Sequence, residues 1–297
     1  MCPNAPIVNF LCTLVTLHGT FDWSLIPKNL LVKPILLGVI MTLVLAVLAQ
    51  FFGAIFGLLL YFIRRSQVAP VRWFGNVYIW YFRGTPLLVQ IELLYALIPF
   101  FGLLGILNSI NFFPAIGFDR VPMDAFIAAL VALSLNEGAY MAEIVRAGID
   151  AIDLGQLEAA KSLGMTYYLA MRRIVLPQAA RVIIPPLGNE FNSMLKSTSL
   201  ASAITMLELL QTAREIGTPS FTIPELLIVA SIWYLVLTSI WTVIQANIER
   251  RLNVSLTDPG AAAPGDYLKR LIGFGGRLRG ATAGGAPVDV TEGQGAR

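Results

Sequence analysis

Long apolar runs separated by short polar or aromatic segments set the organisation of this chain. From Ile35 to Ile63 no charged residue occurs, and Arg64 and Arg65 close the run. A helix needs about 20 largely apolar residues to cross a hydrocarbon core of about 30 Å, so this stretch reads as a spanning helix. Pro70 to Phe82 then gathers Trp73, Phe74, Tyr78, Trp80 and Tyr81 beside Arg72, the composition of a membrane–water interface. In Arg83-Gly84-Thr85-Pro86, Thr85 suits an N-cap and Pro86 a first helical residue. A second span is therefore expected over 86–107.

Asn108 to Asp124 carries Pro114, Gly117 and Pro122 and reads as a loop. A third span over 125–145 holds Asn136, Glu137 and Glu143, so it cannot face lipid on all sides. The polar, basic stretch 148–181 is too long for a simple turn and is expected to be a structured element. A fourth span over 183–210 is expected to be broken at Pro185-Pro186, and it carries Asn189, Glu190, Asn192 and Lys196. Gln211 to Pro224 reads as a short loop. A fifth span over 225–246 stops at Arg250 and Arg251, and the Gly- and Ala-rich tail 252–297 reads as flexible.

Composition agrees with this pattern. Of the 297 residues 56% are hydrophobic and 13% charged, against about 45 to 50% and about 25% in soluble domains, and the mean hydropathy is +0.71. The expected fold is all-α and integral to the membrane, with an external or interfacial segment over 1–34 ahead of the spans. Basic residues flank spans on the cytoplasmic side. The segments assigned inside hold Arg64, Arg65, Arg72, Arg83, Arg146, Lys161, Arg172, Arg173, Arg181, Arg250 and Arg251, whereas those assigned outside hold Lys28, Lys33, Arg120 and Arg214. The N-terminus is therefore expected outside and the C-terminus in the cytoplasm. Met1 to Leu17 lacks a basic n-region and a clear cleavage site, so no removable signal peptide is expected.

Candidate chemistry is sparse. Cys2, Cys12 and His18 are too few to build a metal or disulfide framework, and no catalytic, cofactor-binding or metal residues are expected. No Gly-x-x-x-x-Gly-Lys-Ser/Thr loop is present to hold ATP phosphates. Buried charges in a bilayer cost about 2.5 to 3.5 kcal/mol each on insertion scales and usually face a bundle interior or a water cavity. Asn136, Glu137, Asn192 and Lys196 are thus candidates for a translocation path, with helix packing as the alternative for Glu137 and Lys196. Glu143 and Arg146, three apart, suit a local ion pair. Arg83, Thr85 and Pro86 are candidates for an inner gate, with an interfacial anchor and helix start as the alternative.

The most informative segment is Glu158-Ala159-Ala160, three residues, Gly164, nine residues, Ile174, one residue, and Leu176-Pro177. Leu157, Ala160 and Leu163 recur at helical spacing, Gly164 permits a reversal, and Pro177 is expected to end a second short helix. The small Ala159 and Ala160 would let such a hairpin press into a groove, and Glu158, Lys161, Arg172 and Arg173 offer charge to a partner's rim.

This spacing resembles the coupling motif of the permeases of ATP-binding-cassette (ABC) importers at every fixed position. Phe82 to Gln90, Gly138 to Ile144, Gly155-Gln156, Pro177-Gln178-Ala179 and Lys196 to Leu200 resemble the polar amino acid branch, of the histidine, glutamine and glutamate type. The resemblance covers about Leu36 to Arg251 and implies a type I permease domain over 35–251, with five transmembrane helices and cytoplasmic coupling helices. It further implies an ABC ATPase dimer that uses ATP and docks on Glu158, Ala159, Ala160, Gly164, Ile174, Leu176 and Pro177. A second permease subunit, identical or homologous, and an extracytoplasmic amino-acid-binding protein are the other implied partners, with membrane lipid around the chain and no nucleic acid. The implied location is a prokaryotic cytoplasmic (inner) membrane. A permease for another small solute such as an opine is the nearest alternative reading, and an ion-gradient-driven secondary transporter the more distant one.

Overall fold

A computed structural model describes residues 21–102, 113 and 121–252, all within a compact unit formed by residues 1–254. The expectations for Cys2, Cys12, His18, the end of the second span, most of the 108–124 loop and the tail from 253 onward lie outside the described residues. The elements are α1 (Leu25–Leu30), α2 (Lys33–Arg64), α3 (Ala69–Gly84), α4 (Leu87–Leu97), a 3-10 turn (Pro99–Phe101), α5 (Met123–Asp150), α6 (Leu154–Ser162) and α7 (Tyr167–Ala170). A π turn (Met171–Val175), α8 (Leu176–Ser197), a second 3-10 turn (Thr198–Ile204), α9 (Leu209–Gly217) and α10 (Ile223–Arg251) complete them. Among the described residues there is no strand.

Among the described residues three helices, α2, α5 and α10, are long and apolar enough to cross a membrane. The 28 residues of α5 extend about 42 Å at about 1.5 Å per residue, more than a hydrocarbon core requires. Between helices in lipid no hydrophobic force operates, so association depends on close backbone approach through small residues. The seam between α2 and α5 is made this way. A methyl on Gly53 would stand 2.5 Å from Glu137 Cγ, and one on Gly138 2.9 Å from Phe56 Cβ. At Gly57 a methyl would overlap the Met141 side chain. The apolar core continues along this seam through Leu45, Ala46, Ala49, Ala129, Ala132 and Leu133, and takes in Ile91 of α4 and Met194 and Leu195 of α8. On its other face α2 leaves Phe51, Phe52, Ile55, Leu59 and Phe62 exposed, as a lipid-facing surface requires.

α3 and α4 form one broken path along α5, with the break at Thr85 and Pro86. Pro86 cannot donate a backbone hydrogen bond, and the break leaves carbonyls that lipid could not satisfy. Gln90 Nε2 donates to Phe82 O at 2.9 Å and to Thr85 O at 3.1 Å, and Asn136 Nδ2 of α5 donates to Phe82 O at 2.9 Å and to Gln90 Oε1 at 3.0 Å. Thr85 does not cap α4 as expected: Pro86 is the N-cap, and the Thr85 hydroxyl bonds back to Tyr81 O at 2.9 Å. The aromatic stretch read as an interfacial segment is thus helix α3, the first half of the path rather than a lead-in to it. Each lost bond to a buried carbonyl costs about 1 to 3 kcal/mol. Gln90→Met is therefore expected to lower the thermal midpoint of the purified permease by about 4 to 8 °C. An unchanged midpoint would mean that another group satisfies these carbonyls.

Two proline expectations are corrected. Pro177 does not end a short helix; it is the second residue of α8, and the π turn ahead of it widens the helix where a regular turn would clash with the proline ring. Nor do Pro185 and Pro186 break the chain, because α8 runs continuously from Leu176 to Ser197. Side chains of α10 support this stretch: Gln245 Nε2 donates to Pro185 O at 3.2 Å and Trp241 Nε1 to Gly188 O at 2.7 Å. Such help from neighbouring helices is how proline is tolerated inside membrane helices.

The regular helix ends instead at Thr198. The segment expected as a loop after 210 forms α9, which buries Leu209, Thr212, Ala213 and Gly217. Its cap is Glu208, fully buried, whose carboxylate accepts from Leu210 N at 2.9 Å, Gln211 N at 2.8 Å and the Tyr234 hydroxyl of α10 at 2.6 Å. Thr42 Oγ1 of α2 accepts from Leu209 N at 3.2 Å, so α2, α9 and α10 are joined at one polar knot. The N-terminal described segment is held to α10 by Trp233 Nε1, which donates to Leu30 O at 2.9 Å, and by Asp22 N, which donates to Glu225 Oε1 at 3.1 Å.

Candidate functional site

The Glu158 to Pro177 motif folds as a helical hairpin at the end of α5. Asp153 starts α6 by accepting from Gly155 N at 2.8 Å, which satisfies a free amide of the first turn. Gly164 ends it with φ +76°, and Met165 N donates to Ala160 O at 3.0 Å, the six-residue closure that left-handed glycine permits. Thr166 then caps α7 by accepting from Leu169 N at 3.3 Å. From Tyr167 the path is helical through the π turn into α8, so the hairpin is joined to a core helix without an intervening loop.

Burial within the hairpin is inverted relative to an ordinary surface helix. The small Ala160 and Ala170 are buried, whereas Leu154, Leu163 and Tyr168 are 74%, 83% and 71% exposed. Ala160, expected with Ala159 to press into a partner's groove, is instead packed inside the chain, and Leu163, which follows it at helical spacing, is exposed. Glu158, Ala159, Leu176 and Pro177 are exposed and Ile174 is half-buried. Large apolar side chains on a polar rim mark an interaction surface. A cavity of about 290 Å³ lies beside the hairpin, lined by Arg65, Ile149, Leu154, Leu157, Tyr167 and Met171 among others.

A second set of polar residues sits deeper, between α2, α5 and α8. Glu137 is buried, and its Oε1, together with Gln50 Oε1 and Asn192 Oδ1, has no hydrogen-bond partner among the described residues. The Gln50 amide donates to Met141 Sδ at 3.8 Å, and Glu190 of α8 lies within electrostatic range of Glu137. Glu190 in turn lies within range of Arg83, whose guanidinium sits 5.2 Å over the Tyr140 ring. Lys196 is exposed and forms no ion pair with Glu137. Asn136 belongs to the α3–α4 staple rather than to this group. Glu143 pairs with Arg146 at 2.8 Å and also with Arg64, and Arg146 reaches Asp150 at 3.0 Å, so the local pair is part of a network.

Gln50 and Glu208 are site or scaffold residues that sequence reasoning did not single out, while Glu190 and Gln90 entered only as members of the fourth span and of the Phe82 to Gln90 motif. Gln50 had a signal, as the only amide in the charge-free run from Ile35 to Ile63. Residues 51–254 match the family described as the binding-protein-dependent transport system inner membrane component.

The chain belongs to this family of ABC importer permeases.

Within that family it falls in the branch populated by amino-acid systems. This permease is 41% identical over 243 residues to the arginine transport system permease protein ArgU of Corynebacterium glutamicum, covering 81% of this chain and 75% of ArgU. It is 39% identical over 243 residues to the L-cystine transport system permease protein TcyB of Bacillus subtilis, covering 80% of this chain and 94% of TcyB. Among solved structures, a crystal structure of an amino acid ABC transporter with histidines matches with a TM-score of 0.67 and 38% identity, covering 78% of this chain and 99% of that one. The inward-facing MetNI methionine ABC transporter matches with a TM-score of 0.51 at 18% identity, covering 73% of this chain and 95% of that one, and shows the fold alone.

Proposed function

We propose that this permease carries polar or charged amino acids across a prokaryotic cytoplasmic membrane, driven by a separate ABC ATPase dimer that hydrolyses ATP and docks on the α6–α7 hairpin. The observation that carries the reading is the hairpin itself: a complete coupling motif, exposed, with large apolar side chains outward and a helical joint to α8. The ATPase receives Leu154, Leu163 and Tyr168 in an apolar groove, with Glu158 and Lys161 at its rim. Ala159 allows close approach, and Gly164 fixes the hairpin angle. Ile174, Leu176 and Pro177 form the joint through which closure of the ATPase dimer moves α8 against α2 and α5. The basic ends of α2, α5 and α10 face the cytoplasm, and the N-terminus lies outside.

Two permease subunits, identical or homologous, enclose the pathway, and an extracytoplasmic binding protein delivers the amino acid. Glu137 and Asn192, whose Oε1 and Oδ1 have no hydrogen-bond partner among the described residues, receive the substrate ammonium; Lys196, exposed on α8, offers the carboxylate its counter-charge. Arg83 with Thr85 and Pro86 closes the inner side by reaching Glu190 across the path. In proteoliposomes holding the assembled transporter, the Glu137→Gln/Lys196→Met pair is expected to raise the KM for amino-acid uptake at least tenfold, since a charge-assisted hydrogen bond contributes about 1.5 to 3 kcal/mol. ATP hydrolysis without substrate is expected to stay near its native rate. Uptake with an unchanged KM would remove both residues from the substrate path.

A further inference from the structure

At the end of the bundle where α2 finishes, a cavity of about 340 Å³ opens between α2, α3 and α5, lined by Tyr61, Arg64, Arg65, Arg72, Asn76 and Arg146 with Ala142 and Asp150. Its arginines are not equally committed. Arg64 pairs with Glu143 and donates to Asn76 Oδ1 at 2.8 Å. Arg146 pairs with Glu143 at 2.8 Å and Asp150 at 3.0 Å. Among the described residues Arg65 has only the Tyr61 hydroxyl as a hydrogen-bond partner, at 2.7 Å, and Arg72 only a long contact to Ser66 O at 3.4 Å. Neither forms an ion pair with a described carboxylate. The cavity therefore holds two guanidiniums in excess of its carboxylates.

The surroundings identify the ligand class. Beside Arg65 on α2, Phe62 is exposed, and around Arg72 on α3 so are Val68, Val71, Trp73 and Phe74. Aromatic side chains next to arginines at the end of an apolar helix are the signature of a membrane–water interface. A free anion has no use for that apolar collar, whereas a phospholipid would place its phosphate on the guanidiniums and its acyl chains along the collar. Basic pockets between membrane helices at this level suit anionic headgroups, and guanidinium binds phosphate in two-pronged fashion.

We infer that the Arg65 and Arg72 cavity is a binding site for the headgroup of an anionic phospholipid, which docks against α3 beside the ion-pair network of Glu143. The test uses the complete transporter, purified with its ATPase and delipidated in detergent, with bound lipid counted by native mass spectrometry during titration with phosphatidylglycerol or phosphatidylcholine. Phosphatidylglycerol is expected to bind more tightly than phosphatidylcholine. At about 1 kcal/mol per arginine, Arg72→Gln should weaken phosphatidylglycerol about fivefold and the Arg65→Gln/Arg72→Gln pair about 30-fold, with phosphatidylcholine, whose phosphate charge is offset by choline, weakened less. Arg72 is exposed, so its single replacement tests the site without disturbing the core. Equal phosphatidylglycerol binding by native and variant proteins would overturn the inference. Full displacement of the lipid by inorganic phosphate would also overturn it, by making the cavity a free-anion site.

Discussion

Gly164→Val is expected to reduce amino-acid-stimulated ATP hydrolysis and uptake at least tenfold while leaving the permease inserted in the membrane. The cause is the backbone. Gly164 has φ +76°, where a side chain costs about 1 to 2 kcal/mol and a β-branched residue more. No atom of the described residues lies within 4 Å of a methyl placed there, so the substitution meets no clash in the core; it can relieve strain only by unwinding the close that Met165 makes with Ala160. That unwinding rotates α6 away from the line of α8 and misplaces the exposed Leu154 and Leu163. Gly164→Ala, with the smaller strain, is expected to lose only a few-fold. The measurement is ATPase stimulation and radiolabelled uptake in the same proteoliposomes, with surface area of inserted protein controlled by quantitative blotting. Native coupling in Gly164→Val would mean that the hairpin angle does not transmit the ATPase stroke.

The second large effect belongs to the α2–α5 seam. Gly57→Leu is expected to lower the thermal midpoint of the detergent-purified permease by about 10 °C and to reduce its yield sharply. A methyl at Gly57 already overlaps Met141 and would lie 3.0 Å from both Gly138 O and Ala142 N, so the added side chain meets backbone as well as a flexible methionine. Overpacking of this kind costs about 1 to 3 kcal/mol, and each kcal/mol moves the midpoint by about 2 to 4 °C in a domain of this size. Gly84→Ala supplies the control, because a methyl there meets nothing within 4 Å, and its midpoint is expected to match the native one. A native midpoint for Gly57→Leu would show that the helices do not approach as closely as the seam requires.

The spans rich in aliphatic residues were legible because length and apolarity suffice to identify a membrane helix, as with α2 and α10. What the pattern could not convey was which polar groups meet across helices. Arg72 and the aromatic residues of α3 have the composition of an interface, so the helix was read as a lead-in; only the bonds from Gln90 and Asn136 to Phe82 O reveal a broken helix held from both sides. Asn136 was singled out for its polarity at membrane depth, yet its amide is occupied by that break. Pro185 and Pro186 are breakers by local propensity, and Trp241 and Gln245, more than fifty positions away, support the helix that carries them. Gln50 escaped notice, and Glu190 was noted only as a polar residue of the fourth span, because the relation of each to Glu137 is spatial.

The hairpin was legible for a different reason. Its spacing of Glu158, Gly164, Ile174 and Pro177 is a linear pattern, and Gly164 is a local signal that acts within a few residues of itself. Its outward face was less so. Ala160 reads with Ala159 as a docking residue because it is small, yet it is buried within the chain, and it is Leu163, past the helix end at Ser162 and next to the left-handed turn at Gly164, that lies outward. The exposed side chain then becomes available to the proposed ATPase groove.

The most direct measurement is uptake of radiolabelled amino acids into proteoliposomes containing this permease, its ATPase and its binding protein, with each component and ATP omitted in turn and ion gradients collapsed by ionophore. Uptake that requires ATP and all protein components, and persists without a gradient, is the predicted result. Uptake by the permease alone, driven by a gradient in the absence of ATP, would contradict it.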